Sequence, residues 1–301
     1  EREYPDRTVA EINPIETGHR PTAVVHFDAN PPLVVQLSAS IDAVRVEVTL
    51  INAVRARTDV PVASVVATGT HDGRAYAVTE FRPGTDLHTT FADSRPALRE
   101  ALARQFGRYL GELHTAFSFE GCGELMQAPA AGDTLAAPSA NCAEWVAEYG
   151  RRSVARLPSE FDALRPKLYD CLDTVVGEDL PPRLFPWDLR PGNTLVSDGR
   201  LSAVLDWERP MAAPPALSVA KITYLVADWY VDEAAPLRTA FQAGYESVRP
   251  IPNVKPVHRV VAIADTAVDA RGAVTNPGYP AEPREASVEF HIAALSAALS
   301  E

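Results

Sequence analysis

The chain has 301 residues, 46% of them apolar and 23% charged, with a formal net charge of −12. These values describe a soluble globular protein of one large or two medium domains with a well-buried core. They argue against a membrane span, since no run approaches eighteen apolar residues, and against nucleic-acid or anionic-membrane partners, which attract Lys/Arg-rich faces. Cys122, Cys142 and Cys171 are few and far apart, without a C-x-x-C pair or zinc spacing. No disulfide framework is expected, and a reducing cytoplasm is the expected compartment. Glu1 to Asp6 lack the apolar core of a signal peptide.

In chain order, β-rich runs occur at 8–12, 22–28, 33–37, 62–68 and 75–81, with turn signals between them. The turn His71-Asp72-Gly73-Arg74 joins the last two as a hairpin. One helix interrupts the pattern at 41–57, where Val44, Val48, Ile51 and Val54 recur at helical spacing and Ser40 or Asp42 is placed to cap it. A long amphipathic helix follows at 96–117, its broad face made of Leu98, Leu102, Phe106, Tyr109, Leu110 and Leu113. Residues 118–141 read as a loop, and 142–153 and 159–177 as helices. Residues 183–206 return to strand and turn character. From 216 the chain is helical, with Pro-rich joints at 250–256 and 276–283. The expected fold is α+β: a small antiparallel β-rich N-terminal part with one helix, residues 1–83, and a larger mainly helical part, residues 84–301. The two meet around Thr79–Gly84, and clefts of this kind favour ligands.

The chemistry concentrates between Trp187 and Glu208. Asp188 opens a polar loop that ends at Asn193. Leu195-Val196 then starts a strand, Asp198-Gly199 turns the chain, and Leu201 to Leu205 return it to Asp206. A hairpin brings its ends together, so Asn193 and Asp206 should be neighbours, with Asp188 at the same edge. Two carboxylates and an amide at one point make a hard-oxygen site. It suits Mg²⁺, which takes one or two protein carboxylates and completes its shell with water and phosphate oxygens. Phosphoryl transfer also needs a carboxylate to orient the attacking hydroxyl. A purely structural account would have Asp188 and Asn193 stabilise turns and the hairpin join two ordinary strands.

This segment resembles the aminoglycoside phosphotransferase family, small-molecule kinases with a bilobal protein-kinase-like fold. The family's loop runs roughly His-Gly-Asp-Leu-His-Pro-Gly-Asn, then a hairpin and Ile-Asp-Trp. This chain has Pro186-Trp187-Asp188-Leu189-Arg190-Pro191-Gly192-Asn193, then Leu205-Asp206-Trp207. The resemblance implies that ATP and Mg²⁺ are the cofactors, that Asp188 is the catalytic base, and that Asn193 and Asp206 hold the metal. Arg190 matches a position that faces the transferring phosphate in protein kinases; the other account makes it a solvent-facing loop charge. Ala77 to Leu87, with Glu80 and Phe81, resembles the adenine-binding hinge. Glu47 matches the helical Glu that pairs with the phosphate-binding Lys; without the resemblance it reads as an ordinary exposed helical Glu. His114 matches a helix-ending His and reads as structural.

Four departures accompany the resemblance. Gln36, in Leu33-Val34-Val35-Gln36-Leu37, occupies the position of the phosphate-binding Lys, and no Lys precedes Lys167. Arg20 and Arg45 are the candidate substitutes. Pro186-Trp187 replaces His-Gly before the base. Ala213-Pro214-Pro215 stands where the family often has Gly-Asp-Pro, and the phosphate loop at 16–22 contains only Gly18. Two functions follow: an ATP-dependent kinase acting on a hydroxyl of a small molecule, or a nucleotide- or ligand-binding pseudokinase impaired by the loss at Gln36. Candidate substrate contacts are Asp228, Asp232, Glu233, Asp265 and Asp269, the last two an i, i+4 pair able to hold an amine, with Trp207, Trp229 and Tyr230 as aromatic walls. On so acidic a chain these carboxylates also read as a solvated face, and the aromatic residues as core.

Overall fold

The computed structural model describes residues 6–15, 20–128, 134–175 and 181–300. Strands β1 (Val9–Ile15), β2 (Thr22–Phe27) and β3 (Leu33–Ser38) lead into helix α1 (Ile41–Arg57), followed by β4 (Val65–His71) and β5 (Arg74–Glu80). They form one antiparallel sheet in the order β1-β2-β3-β5-β4. The β4–β5 turn has Asp72 at φ 47° and Gly73 at φ 75°, the left-handed pair that a two-residue hairpin demands. Ser40 caps α1 by accepting from Ala43 N at 3.1 Å. Val44 of α1 packs on Ala75 and Ala77 of β5, so the helix covers the sheet face on which Ala77 and its cross-strand partner Gln36 lie.

The connection out of the sheet is tied down. Arg82 Nη2 donates to Ser202 O at 3.1 Å and Ser202 Oγ to Pro83 O at 3.3 Å. A Cβ on Gly84 would lie 2.8 Å from the Leu195 side chain, a closeness that requires glycine. Strand β6 (Thr85–Asp86) and the short helix α2 (Leu87–Thr90) follow, and then α3 (Pro96–Ala116). Leu102, Phe106, Leu110 and Leu113 of α3 are fully buried. Each contributes roughly 1.5–3 kcal/mol of transfer free energy.

The segment expected to be a plain loop carries β7 (Gly123–Glu124), β8 (Met126–Gln127) and β9 (Leu135–Ala136), and α4 (Cys142–Arg156) comes next. Here the expectation of reduced cysteines is corrected: Cys122 and Cys142 form a disulfide with Cα atoms 5.3 Å apart. Cys122 and Ser139 exchange backbone hydrogen bonds of 2.7 and 3.0 Å, which returns the chain to Cys122 just before α4. Sequence spacing does not reveal such a fold-back. The bond also withdraws the cysteine-based argument for a reducing compartment. The expected 159–177 helix is a 3₁₀ turn at Ser159–Phe161 followed by α5 (Arg165–Leu172), with 176–177 outside the described residues.

Strand β10 (Arg183–Phe185) precedes the polar loop. The hairpin β11 (Thr194–Ser197) and β12 (Arg200–Val204) pairs with β6, and β13 (Met211–Ala213) lies between β10 and β7. Helix α6 (Pro215–Thr223) runs into a π-helical turn, Tyr224–Asp228, and α7 (Ala234–Glu246), α8 (Pro256–Thr266) and α9 (Arg284–Ala298) complete the chain. Helices α3 and α7 meet backbone to backbone: a Cβ on Gly107 would stand 1.9 Å from Phe241 O. Among the described residues no helix is long and apolar enough to cross a membrane.

Candidate active site

The polar loop is anchored from below by Leu189, which is buried and donates its N–H to Pro186 O at 2.9 Å. Pro191–Asn193 form a 3₁₀ turn closed by Asn193 N to Arg190 O at 3.0 Å and Thr194 Oγ1 to Arg190 O at 2.8 Å. These turns aim three side chains at one another. Asn193 Nδ2 donates to Asp188 Oδ2 at 2.7 Å and to Asp188 O at 3.1 Å. Arg190 Nε lies 2.7 Å from Asp188 Oδ1. Asp188 is therefore held on both oxygens, with its side chain 20% exposed.

The hairpin closes beside them. Its turn, Asp198-Gly199, has φ of 51° and 71°, and Leu205 N donates to Asn193 O at 2.8 Å. Trp207 is buried and donates Nε1 to Val204 O at 3.1 Å. Between these anchors Asp206 adopts φ 56°, a left-handed conformation that Asp and Asn tolerate better than most residues. Burial raises the Asp206 carboxyl above the usual range and the nearby Asp188 raises it further, against the fields of Arg20 and Arg190. A half-buried pocket in which two carboxylates repel each other attracts a cation. Asn193 uses its nitrogen on Asp188, which leaves its amide oxygen as a hard donor. Among the described residues no three His, Cys, Asp or Glu converge as a metal cage; Mg²⁺ needs only one or two carboxylates plus phosphate oxygens and water. Asn193 and Asp206 fit it on these grounds.

Arg190 is not the solvent-facing loop charge of the alternative account. It is largely buried, paired with Asp188, and stacked 5.6 Å from the Trp229 ring centroid. Burial opposes its charge, but Asp188, Tyr230 and Asp206 outweigh burial and raise its pKa. Nor is Glu47 an exposed helical Glu: it is 5% exposed and its Oε2 lies 2.5 Å from Arg20 Nη1. Burial raises its carboxyl against the pull of Arg20. Gln36 lies on β3 between Thr22 and Ala77. Glu80 ends β5 and accepts from Ser64 Oγ at 2.6 Å; Phe81 N donates to Pro32 O at 3.3 Å and its side chain is exposed. The Phe81 N–H is thus committed to the residue just before β3. Of the expected phosphate loop, residues 16–19 with Gly18 lie outside the described residues.

Several contributors were invisible in the sequence. Glu208, two residues after Asp206, places Oε1 2.5 Å from Arg20 Nε. Behind the loop, Trp187 donates Nε1 to Tyr149 OH at 3.1 Å and to Asp265 Oδ2 at 3.0 Å. Asp265 is buried and ion-paired with the buried Lys221, whose Nζ sits 4.4 Å from the Trp187 ring centroid. Asp265 therefore braces the loop and is not free to meet a substrate amine. Asp269 accepts from Arg271 N and Ala273 N in a turn. In front of the loop, Tyr230 OH meets His88 Nδ1 at 2.9 Å, and burial pushes the Tyr230 phenol up to about 12. Trp229 and Tyr230 line a cleft of about 1140 Å³ together with Asp228, Asp232, Glu233 and Arg238.

A model of the phosphotransferase enzyme family matches residues 11–257. No curated protein matches the chain. Among solved structures, a thermostable mutant of aminoglycoside phosphotransferase APH(4)-Ia in ternary complex with AMP-PNP and hygromycin B superposes with a TM-score of 0.65 at 12% identity, covering 97% of this chain and 94% of that one. Macrolide 2′-phosphotransferase MphH from Brachybacterium faecium gives a TM-score of 0.56 at 18% identity, covering 95% and 93%. At these identities the likeness shows the fold, which is the bilobal kinase-like one.

Proposed function

Because this chain belongs to the phosphotransferase enzyme family, we propose that it is an ATP-dependent kinase that moves the γ-phosphate onto a hydroxyl group of a small molecule. The observation that carries this is the convergence of Asp188, Asn193 and Asp206, with Asn193 bonded to Asp188 at 2.7 Å and to Leu205 at 2.8 Å. Residues 1–83 form the nucleotide lobe and 84–301 the catalytic and substrate lobe. Mg²⁺ supplies charge neutralisation for the phosphates. Asn193 and Asp206 hold it, and the segment from Glu80 and Phe81 to Gly84 borders the adenine. Asp188 orients the acceptor hydroxyl and takes its proton. Arg190, fixed between Asp188 and Trp229, presents positive charge where negative charge develops on the transferring group. The acceptor enters by the cleft at Trp229 and Tyr230.

The Gln at position 36 favours the second reading, a nucleotide-binding pseudokinase. Purified protein is incubated with ATP, Mg²⁺ and a panel of sugars, amino alcohols and aminoglycosides, and ADP release and product mass are followed. Transfer to one acceptor that disappears in Asp188→Ala supports the kinase. Nucleotide binding with no transfer to any acceptor supports the pseudokinase, and transfer unchanged in Asp188→Ala sinks the assignment of the base.

A further inference from the structure

The position expected to carry a phosphate-binding Lys is Gln36, and the sequence offers Arg20 and Arg45 as substitutes. Their surroundings separate them. The Arg45 side chain is 68% exposed and pairs with Asp42, one turn back, at 3.7 Å. The Arg20 side chain is 14% exposed and gripped from two sides: Nη1 lies 2.5 Å from Glu47 Oε2 on α1, and Nε lies 2.5 Å from Glu208 Oε1 beyond the hairpin.

The register explains how Arg20 reaches the place of the missing charge. Thr22 of β2 is the cross-strand partner of Gln36, and Leu37 N donates to Pro21 O at 2.9 Å. Arg20 thus lies just ahead of the strand next to Gln36, and its contact with Glu47 puts its side chain on the α1 side of the sheet, the side that Gln36 shares with Ala77. We propose that Arg20 is the phosphate-binding cation of the nucleotide site, supplying from the segment just before β2 the charge that position 36 lacks. This rests on the kinase reading above.

The chemistry of the side chain suits the role. A Lys has one compact charge, whereas the guanidinium has five N–H donors in a planar fork. Nε and Nη1 make the contacts to Glu208 and Glu47; Nη2 makes neither and carries two N–H groups suited to a phosphate oxygen. The two glutamates come from opposite sides of the site, one on α1 and one following Asp206. They fix the fork beside the segment that carries Asp206, since Glu208 follows Asp206 by two residues. Arg20 so placed contacts phosphate on one edge and ties the two halves of the site together on the other.

The test is calorimetric binding of ATP–Mg²⁺ and of adenosine to the wild type, R20Q, R20K and R20Q/Q36K, with folding of each checked by its thermal midpoint. R20Q should bind ATP–Mg²⁺ at least tenfold more weakly and adenosine within twofold of wild type. R20K should keep ATP–Mg²⁺ affinity within fivefold. Adding Q36K to R20Q should recover threefold or more, because it returns a cation to the strand beside Arg20. A folded R20Q with wild-type ATP–Mg²⁺ affinity overturns the proposal, as does an equal tenfold loss in R20K and R20Q. If R20Q does not fold, R20K decides alone, with a tenfold loss overturning the assignment. A wild-type protein that binds neither ATP–Mg²⁺ nor adenosine overturns the kinase reading itself, an outcome distinct from a nucleotide binder that is indifferent to Arg20.

Discussion

Asn193 donates its side-chain N–H to Asp188 Oδ2 at 2.7 Å, so the amide that offers its oxygen to a metal also orients the carboxylate that faces the acceptor. The two roles are mechanically linked, and misplacement of a reacting group by about 1 Å costs on the order of 10²-fold in rate. Asp188→Asn should lower kcat by about 10³-fold or more with ATP–Mg²⁺ affinity little changed, since removal of a positioned base costs roughly 10²–10⁴. Asn193→Ala should lower kcat by about 10²-fold and raise the Mg²⁺ concentration required. Both are read by ADP release with a responsive acceptor. A kcat in Asn193→Ala within threefold of wild type would show that the bond to Asp188 is incidental.

Asp206 stands at the junction of function and stability. Burial and the neighbouring Asp188 raise its carboxyl above the usual range. A carboxyl that is harder to ionise when folded contributes stability below its unfolded pKa and loses it as pH rises through the folded pKa. At neutral pH the ionised Asp206 therefore destabilises the metal-free protein. Asp206→Asn removes that charge and keeps a residue at ease at φ 56°. It should raise the melting midpoint of metal-free protein at pH 7 and at the same time raise the half-saturating Mg²⁺ concentration at least tenfold. A lower midpoint together with unchanged Mg²⁺ dependence would mean that Asp206 is a turn residue and not a metal ligand.

What could be read in advance and what could not divides by sequence distance. Helix α1 was legible because its apolar spacing and its Ser40 cap are local. The two Asp-Gly hairpin turns and the Asp188–Asn193 loop were legible for the same reason. The Arg20 clasp joins residues 20, 47 and 208, three stretches that only the assembled sheet, helix and hairpin bring together. The Cys122–Cys142 bond depends on a fold-back at Ser139, and no periodicity marks it. Asp265 read as one half of an i, i+4 pair with Asp269 because that spacing is visible, whereas its partner Lys221 lies 44 residues away.

That ion pair yields a stability prediction. Burial alone would raise the Asp265 carboxyl, but Lys221, with hydrogen bonds from Lys221, Tyr149 and Trp187, outweighs burial and lowers it. Breaking a buried pair by removing one partner costs roughly 3–5 kcal/mol, while replacing both by apolar groups is often neutral. Asp265→Ala should therefore destabilise the protein by about 3–5 kcal/mol in chemical denaturation, and the double variant Lys221→Met/Asp265→Leu by about 2 kcal/mol or less. Because Asp265 also holds Trp187 at 3.0 Å, directly before Asp188, the double variant should still lower kcat. Equal destabilisation by the single and the double variant would show that the network is valued for its packing and not for its charges.

His291 provides the clearest pH dependence. It is fully buried, and its Nε2 lies 2.9 Å from Thr275 O, an oxygen that only accepts. Nε2 therefore carries the proton, and Nδ1 accepts from Tyr224 O–H at 2.9 Å. A second proton would have to sit on Nδ1, against a hydroxyl that already donates to it. Burial, partly opposed by the Thr275 carbonyl, lowers the His291 pKa from 6.5 to about 4. Between these values the unfolded chain binds a proton that the folded chain refuses, so stability rises with pH across this window. The contribution is fully present above about pH 6.5 and shrinks as pH falls toward 4. Its full size is ~3 kcal/mol, of which about 2 kcal/mol is lost by pH 5. His114, also buried and lowered well below its usual value, adds loss of the same sign, so the residue-specific share needs a variant. Gln at 291 can donate to Thr275 O and accept from Tyr224 without titrating. In urea denaturation, His291→Gln should lose about 2 kcal/mol less than wild type between pH 7.5 and pH 5. Parallel pH profiles for the two proteins would rule out His291 as the titrating group.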